Sequence, residues 1–481
     1  MKWLVLILAS AISSCGGCSG ASLEGDASTV DSPLDTRIPD THAEEQPDTG
    51  PDPIVDTYED PGDDFEELPS GHYWSRTYGT DGGWEEAEAV IELAGGGFVI
   101  AGSYSSSGVD FWIIGIDELG AIRWQRGYGG RARGVSICPT ADGGFAAAVG
   151  DRIARLDRGG GVAWQKRYFG TPTPEFVSVI EVSDGGLAAV GTTREEETTP
   201  LVLNVLRLDA TGEPVWQLAF GAEGEDEGAD IAETADGGLI AVGTQGFRDD
   251  DHDALVIRLD PSGLMAWRRS YGGEGLDSAR AVVATEDGGA IVSGYRMIGS
   301  GAPLHFWATR IDGDGEIVWH TELEGTYYDF LNGMDVTEDG GCVLTGERRD
   351  DSVPGEPRTD AWVVKLDREG EILWQRSYGG SRDSEALSIL QTSDGALMVA
   401  GWTFSFDLIS GQAWVLRMRD SGLVALSCES TVGAPTAAER VEPGFEVSVA
   451  SIVFHETHLF SVSEDFSGYE THATSSLLCG M

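Results

Sequence analysis

The chain has 481 residues, 31 basic and 81 acidic, for a formal net charge of −50 at pH 7. Nucleic acid and anionic membrane surfaces are bound through Lys and Arg, so this balance excludes polyanion recognition. With 41 % of its residues hydrophobic, the chain can still bury a large core.

Met1-Lys2 is a minimal positive start, and Trp3 to Ile12 is an apolar run. That run is too short to cross a bilayer as a stable helix and suits the core of a signal peptide. It ends in Ile12-Ser13-Ser14-Cys15, which resembles the lipobox of bacterial prolipoproteins: an aliphatic residue, two small ones and the cysteine to be lipidated. The resemblance implies a signal peptide over 1–14 and a lipid-anchored Cys15. Two or more acyl chains hold a protein stably where one does not. Gly16 follows the cysteine instead of Asp, which favours the outer membrane of the cell envelope, on either side of it. From Gly16 to Ser70 there are sixteen acidic residues and one basic residue, Arg37, among many Pro, Thr and Ser. Such a segment buries too little apolar surface to offset chain entropy, so residues 15–70 read as a disordered, lipidated tether.

Beyond the tether the sequence repeats. Trp74, Trp124, Trp164, Trp216, Trp267, Trp319 and Trp374 are spaced by 50, 40, 52, 51, 52 and 55 residues. Before each of the last six stands an Asp-x-x-Gly element, as at Asp117, Asp157, Asp209, Asp260, Asp312 and Asp367. Midway lies Asp-Gly-Gly, at Asp142, Asp184, Asp236, Asp287 and Asp339, worn to Asp394-Gly395-Ala396 in the last copy and Gly95-Gly96-Gly97 in the first. Asp-Gly between alternating apolar runs is a strong hairpin signal, because the turn demands positive φ. Four short β-rich runs therefore fill each repeat, and four-stranded units of this length are propeller blades. The expectation is an all-β chain: a seven-bladed β-propeller of four-stranded blades over residues 71–427. The repeat tryptophans, with Trp112, Trp307, Trp362 and Trp414 in the preceding strand, are expected to be packing residues.

Asp367 to Trp374, read as Asp-x-x-Gly-x-x-x-Trp, is similar to the tryptophan-docking element of quinoprotein-like (PQQ-type) propellers. With Tyr-Gly-Gly after the Trp strand, as at Tyr128, Tyr271 and Tyr378, the unit looks like the propeller-repeat lipoproteins of myxobacteria and relatives. The resemblance implies architecture only. Quinoprotein dehydrogenases carry a Cys-Cys pair at the cofactor, and none occurs here, so no cofactor and no catalytic residue is expected.

Residues 428–481 form a β-rich extension. Cys428 and Cys479 bracket it and could close it with a disulfide in an oxidising envelope, while Cys138 and Cys342 read as buried thiols. Strand 72–78 is expected to complete the last blade beside residues 413–418. The alternative is an eighth blade, in which that strand joins the extension. Asp249 to Asp253 reads as a solvated charge run, and His455-Glu456-Thr457-His458 has the wrong spacing for a zinc helix, so no metal is expected.

Both tight turns of a blade lie on one face, and variable loops occupy the other. That long-loop face gathers Glu85, Glu86, Glu175, Asp226, Asp277, Asp329 and Asp383 with Trp84, Tyr104, Phe247, Tyr327, Tyr328, Trp402 and Phe404. The carboxylates suit a cation, a basic protein patch or a sugar; alternatively they cap turns by accepting from backbone N–H groups. The functional expectation is an envelope-anchored, non-enzymatic binding or scaffold module. It would act as a monomer on an unidentified protein or glycan and not on nucleic acid. The alternative is a polysaccharide hydrolase or lyase with carboxylates at the propeller mouth.

Overall fold

The computed structural model describes residues 73–424 and five short strands between 446 and 479. Excepted within 73–424 are loop residues 80–82, 106–108, 129–133, 170–173, 194–199, 222–224, 247–251, 274, 298–303, 324–328, 351–357 and 406–409. Cys15 and the tether, Phe247, Tyr327, Tyr328 and Cys428 lie outside the described residues, and only the backbone of Cys479 lies within them; the expected disulfide is therefore outside them too.

The described elements are all strands. After β1 (Trp74–Gly79), sheet 1 is β2 (Trp84–Glu92), β3 (Phe98–Ser105), β4 (Val109–Ile116) and β5 (Ile122–Tyr128). Sheet 2 is β6 (Val135–Pro139), β7 (Phe145–Val149), β8 (Arg152–Leu156) and β9 (Val162–Phe169). Sheet 3 is β10 (Glu175–Glu181), β11 (Leu187–Thr193), β12 (Val202–Leu208) and β13 (Pro214–Gly221). Sheet 4 is β14 (Asp226–Glu233), β15 (Leu239–Gly246), β16 (His252–Leu259) and β17 (Met265–Gly272). Sheet 5 is β18 (Leu276–Ala284), β19 (Ala290–Met297), β20 (Leu304–Ile311) and β21 (Ile317–Leu323). Sheet 6 is β22 (Phe330–Val336), β23 (Cys342–Asp350), β24 (Arg358–Leu366) and β25 (Ile372–Tyr378). Sheet 7 has three consecutive strands, β26 (Ser384–Gln391), β27 (Leu397–Thr403) and β28 (Gln412–Met418), and takes β1 as its fourth. Each is an antiparallel, propeller-like meander.

The two sequence marks are the two tight turns. In Asp-x-x-Gly the carboxylate folds back on its own loop: Asp157 Oδ1 accepts from Gly159 N and Gly161 N, both at 2.8 Å. In Asp-Gly-Gly the second residue has positive φ, 84° at Gly143 and 86° at Gly288, which glycine adopts without strain. The Asp of this turn also pairs with a cation from the third strand of its sheet. The pairs are Arg155–Asp142 (3.1 Å), Arg207–Asp184 (2.5 Å), Arg258–Asp236 (2.6 Å), Arg310–Asp287 (2.7 Å), Lys365–Asp339 (3.0 Å) and Arg417–Asp394 (2.6 Å). Sheet 1 has no such pair.

Apolar faces of successive sheets close on one another. Sheets 3 and 4 share a cluster with Val190, Val205, Phe220, Leu255 and Ile257, and sheets 7 and 1 share one with Trp74, Val415, Ile100 and Trp112. Trp112, Trp307, Trp362 and Trp414 are fully buried, as expected. The repeat tryptophans are a different case. Most are half-buried and act as pins: Trp267 Nε1 donates to Gly313 O (2.9 Å) and Trp374 Nε1 to Asp420 O (3.0 Å), each in the turn that follows the third strand of the next sheet. Four residues on, the tyrosine hydroxyl enters the same turn, as Tyr271 to Gly315 O (2.7 Å) and Tyr168 to Gly212 O (2.8 Å). The Tyr of Tyr-Gly-Gly is thus a second pin. First strands are laced as well: Glu88 accepts from Val135 N (3.0 Å), Asp230 from Val282 N (2.9 Å), and Ser388 Oγ from Val90 N (3.3 Å). Cys138 and Cys342 are buried free thiols, pushed up to about 12 by burial.

β1 pairs with β28, Trp74 opposite Arg417 and Tyr78 opposite Ala413. Its other edge pairs with β33 (Thr474–Cys479) in the C-terminal extension. The two contacts expected as alternatives therefore coexist. The described residues of the extension build no further four-stranded sheet. Its strands β29 (Glu446–Ser448), β30 (Val453–His455), β31 (Phe460–Val462) and β32 (Gly468–Tyr469) add to β17, β13, β9 and β5. The extension thus visits sheets 4, 3, 2, 1 and 7, against the order in which the chain made them.

Candidate functional site

The first strands β2, β14, β18 and β26 begin on the long-loop face, and the expected carboxylates sit at their heads. Glu85, Asp226, Asp277 and Asp329 are buried, with at most 2 % exposure, behind that surface. Asp226 forms an ion pair with Arg268 at 2.9 Å, both side chains sealed. Asp277 accepts from Gly273 N at 3.0 Å and faces Arg296 at 3.5 Å; burial pushes its carboxyl up to about 7. Asp329 accepts from Arg349 N, and Asp383, which is exposed, from Thr359 N, both at 3.0 Å. Asp277, Asp329 and Asp383 thus accept from backbone N–H groups, while Asp226 is held by Arg268. Glu175 is exposed.

A second group departs from the repeat. Trp84 and Glu86 on β2 meet Glu385 on β26, Trp402 on β27 and Phe404 just beyond it. Trp84 Nε1 donates to Glu86 Oε1 (2.6 Å) and Trp402 Nε1 to Glu385 Oε2 (3.0 Å). The Trp84 ring lies 5.6 Å from Trp402 and 4.8 Å, edge-on, from Phe404. Asn332 on β22 donates to Glu385 Oε1 at 3.0 Å. Glu347 on β23 belongs to the same electrostatic group: burial, then Glu385, Asp329 and Asp383, push it up to about 9. Burial, then Glu86, push Glu385 up to about 7, and burial raises Glu86. Near neutral pH Glu347 therefore keeps its proton and can donate a hydrogen bond, as an ionised carboxylate cannot.

Trp84, Glu86 and Trp402 were expected on this face, but Trp402 is buried within a strand, not carried by a loop. Glu347 and Glu385 were not singled out. Glu385 had a signal, since Glu86, Glu175, Glu227 and Glu385 all stand one residue before the strand bulge of their sheets. Glu347 had none, because its neighbours come from other strands. Among the described residues no group of His, Cys, Asp or Glu is arranged to hold a metal.

No family model matches the chain, and no curated protein sequence matches it. Solved structures are similar at low identity. A protein of unknown function from Bacteroides caccae is 14 % identical, over 63 % of this chain and 94 % of that one, with a TM-score of 0.38. Sqt1 from Chaetomium thermophilum is 12 % identical, over 74 % and 88 %, with a TM-score of 0.42. A glucose dehydrogenase is 11 % identical, over 59 % and 96 %, with a TM-score of 0.37. At that distance their activities say nothing about this chain.

Proposed function

We propose that the chain is a lipid-anchored, non-enzymatic binding module of the bacterial envelope. Cys15 carries the acyl chains, residues 16–70 hold the body off the outer membrane, and the seven sheets are the blades of one ring. The apolar clusters between successive sheets, including that between sheets 7 and 1, and the β1–β28 pairing support the ring. The repeat motifs support kinship with myxobacterial-type propeller lipoproteins.

The observation that carries the binding reading is the Trp84, Trp402 and Phe404 group over Glu86 and Glu385. Aromatic faces beside carboxyls whose proton affinity burial raises suit a neutral, hydroxyl-rich ligand, a glycan. A glycosidase needs one carboxylate ionised beside one protonated. Burial raises all three glutamates and no cation among the described residues acts on any of them, so none is set apart as the ionised partner, which favours binding over turnover.

The test has two arms. Cys15→Ala should move the protein from the membrane to the soluble fraction; retention would end the anchor reading. A glycan array with wild type and Trp84→Ala should show ligands lost in the variant and no new reducing ends on bound polysaccharide. Turnover would favour the hydrolase or lyase alternative, and equal binding by both proteins would move the site elsewhere.

A further inference from the structure

The opposite, tight-turn face is regular in six sheets and broken in one. In those six, the Asp of the Asp-Gly turn meets an Arg or Lys from the third strand. The cation also reaches backbone carbonyls: Arg258 donates to Leu259 O (2.6 Å) and Leu239 O (3.4 Å), and Arg207 to Leu208 O and Leu187 O (3.2 Å). In sheet 1 three positions change together. Leu93 stands for the turn threonine (Thr140 or Thr234 in other sheets), Gly95 for the Asp, and Gly115 for the Arg. Gly95, Gly96 and Gly97 all have positive φ, at 87°, 93° and 81°, so the turn is rebuilt in a form that an Asp at 95 would strain.

The missing pair leaves space. A cavity of about 710 Å³ opens there, and a second of about 630 Å³ adjoins it across Phe98 and Glu118. The carbonyls matching those that take Arg258 belong to Phe98 and Ile116, and Gly115 brings no side chain to them. Trp124 forms one wall, its indole filling the place where a Cβ on Gly115 would stand, 2.2 Å from its Nε1. The Glu118 carboxylate stands 3.0 Å from where a Cβ on Gly96 would be. Arg158 reaches in from sheet 2 and donates to Gly95 O (3.0 Å) and Gly96 O, so these turn carbonyls already receive a guanidinium; Arg123 is held by Asp117 at 2.7 Å.

We infer that this slot receives an arginine side chain from a partner protein. The incoming guanidinium would take the place that the guanidinium or ammonium end of the chain's own Arg or Lys fills in the other six sheets. Its partners would be Glu118 and the Phe98 and Ile116 carbonyls, and its plane would lie on Trp124. A chain of net charge −50 draws cationic partners, while the fork-shaped carbonyl and carboxylate set selects guanidinium.

The experiment titrates the full mature chain with the blocked peptide Gly-Gly-Arg-Gly-Gly and with its citrulline counterpart. Gly115→Arg displaces the Trp124 indole, which its Cβ would meet at 2.2 Å, and fills the slot with the chain's own guanidinium. Leu264→Arg adds the same charge at an exposed turn of sheet 4. Wild type and Leu264→Arg should bind the arginine peptide alike. Gly115→Arg should bind it about tenfold more weakly or worse, and the citrulline peptide should not bind. Equal weakening in both variants, equal binding of both peptides, or no binding to wild type would overturn the proposal. Should Gly115→Arg fail to fold, Glu118→Gln decides: it should weaken the arginine peptide several-fold, and unchanged binding would overturn the slot.

Discussion

Asp226 on β14 and Arg268 on β17, the first and last strands of sheet 4, form a sealed ion pair, 2.9 Å apart at 0 % and 1 % side-chain exposure. Taking away one partner leaves the other charge buried without compensation. Asp226→Ala should cost about 3–5 kcal/mol in urea unfolding, while the double change Asp226→Leu with Arg268→Met should recover most of it. A single-variant cost below about 1 kcal/mol would mean that water reaches the pair.

The tryptophans rank by burial. Trp307→Ala and Trp402→Ala, at 1 % and 7 % exposure, should each cost about 3–5 kcal/mol, and the half-buried Trp267 should cost less. Tyr271→Phe keeps the ring but leaves Gly315 O without its donor, for about 1–3 kcal/mol. Denaturant midpoints with unchanged slope would test the order.

Stability should fall on the alkaline side. Glu347 is pushed up to about 9, and Glu385, Glu88 and Asp277 to about 7, all chiefly by burial. In the unfolded chain such carboxyls titrate near about 4. Folding therefore holds protons that unfolding releases; that contribution is whole below about pH 4 and is lost as pH rises through 7 to 9. The turn aspartates have the opposite sign. Asp236, held down to about 2 by Thr234 and Arg258, contributes above its usual range and loses that contribution as pH falls through about 2. Scanning calorimetry should give a Tm that declines from mildly acidic to alkaline pH, and Glu347→Gln should flatten the decline. A Tm rising from about pH 5 to 9 would contradict the assignment.

Removing residues 446–481 takes a strand from the outer edges of sheets 1, 2, 3, 4 and 7 and leaves in place every described residue of the apolar clusters between sheets. The truncated chain should still unfold cooperatively, yet scatter more light on standing, because bared edge strands template intermolecular pairing. A non-cooperative melt would show that the extension is needed to hold β1 against β28.

The repeat, the strand type and both turns were legible because each rests on local physics. Alternation sets a strand, positive φ demands glycine, and an Asp caps the loop that it begins. The candidate site was only half legible. Trp84 and Glu86 stood out as an aromatic and an acid at a strand head, whereas Glu347 looks like any surface glutamate until β26 and the Asp329 and Asp383 loops crowd it.

By itself, then, the sequence determined which segments are strands, where they turn, and that Trp74, Trp267 and their equivalents recur for packing. Only the tertiary structure decided that Asp226 and Asp277 are sealed, that Trp402 is core, and that β1 lies between β28 and β33. It also decided that Gly95 and Gly115, twenty residues apart in sequence, empty the same slot. Burial, proton affinity and edge pairing depend on neighbours brought from a repeat or more away, and no local period encodes which neighbours those will be.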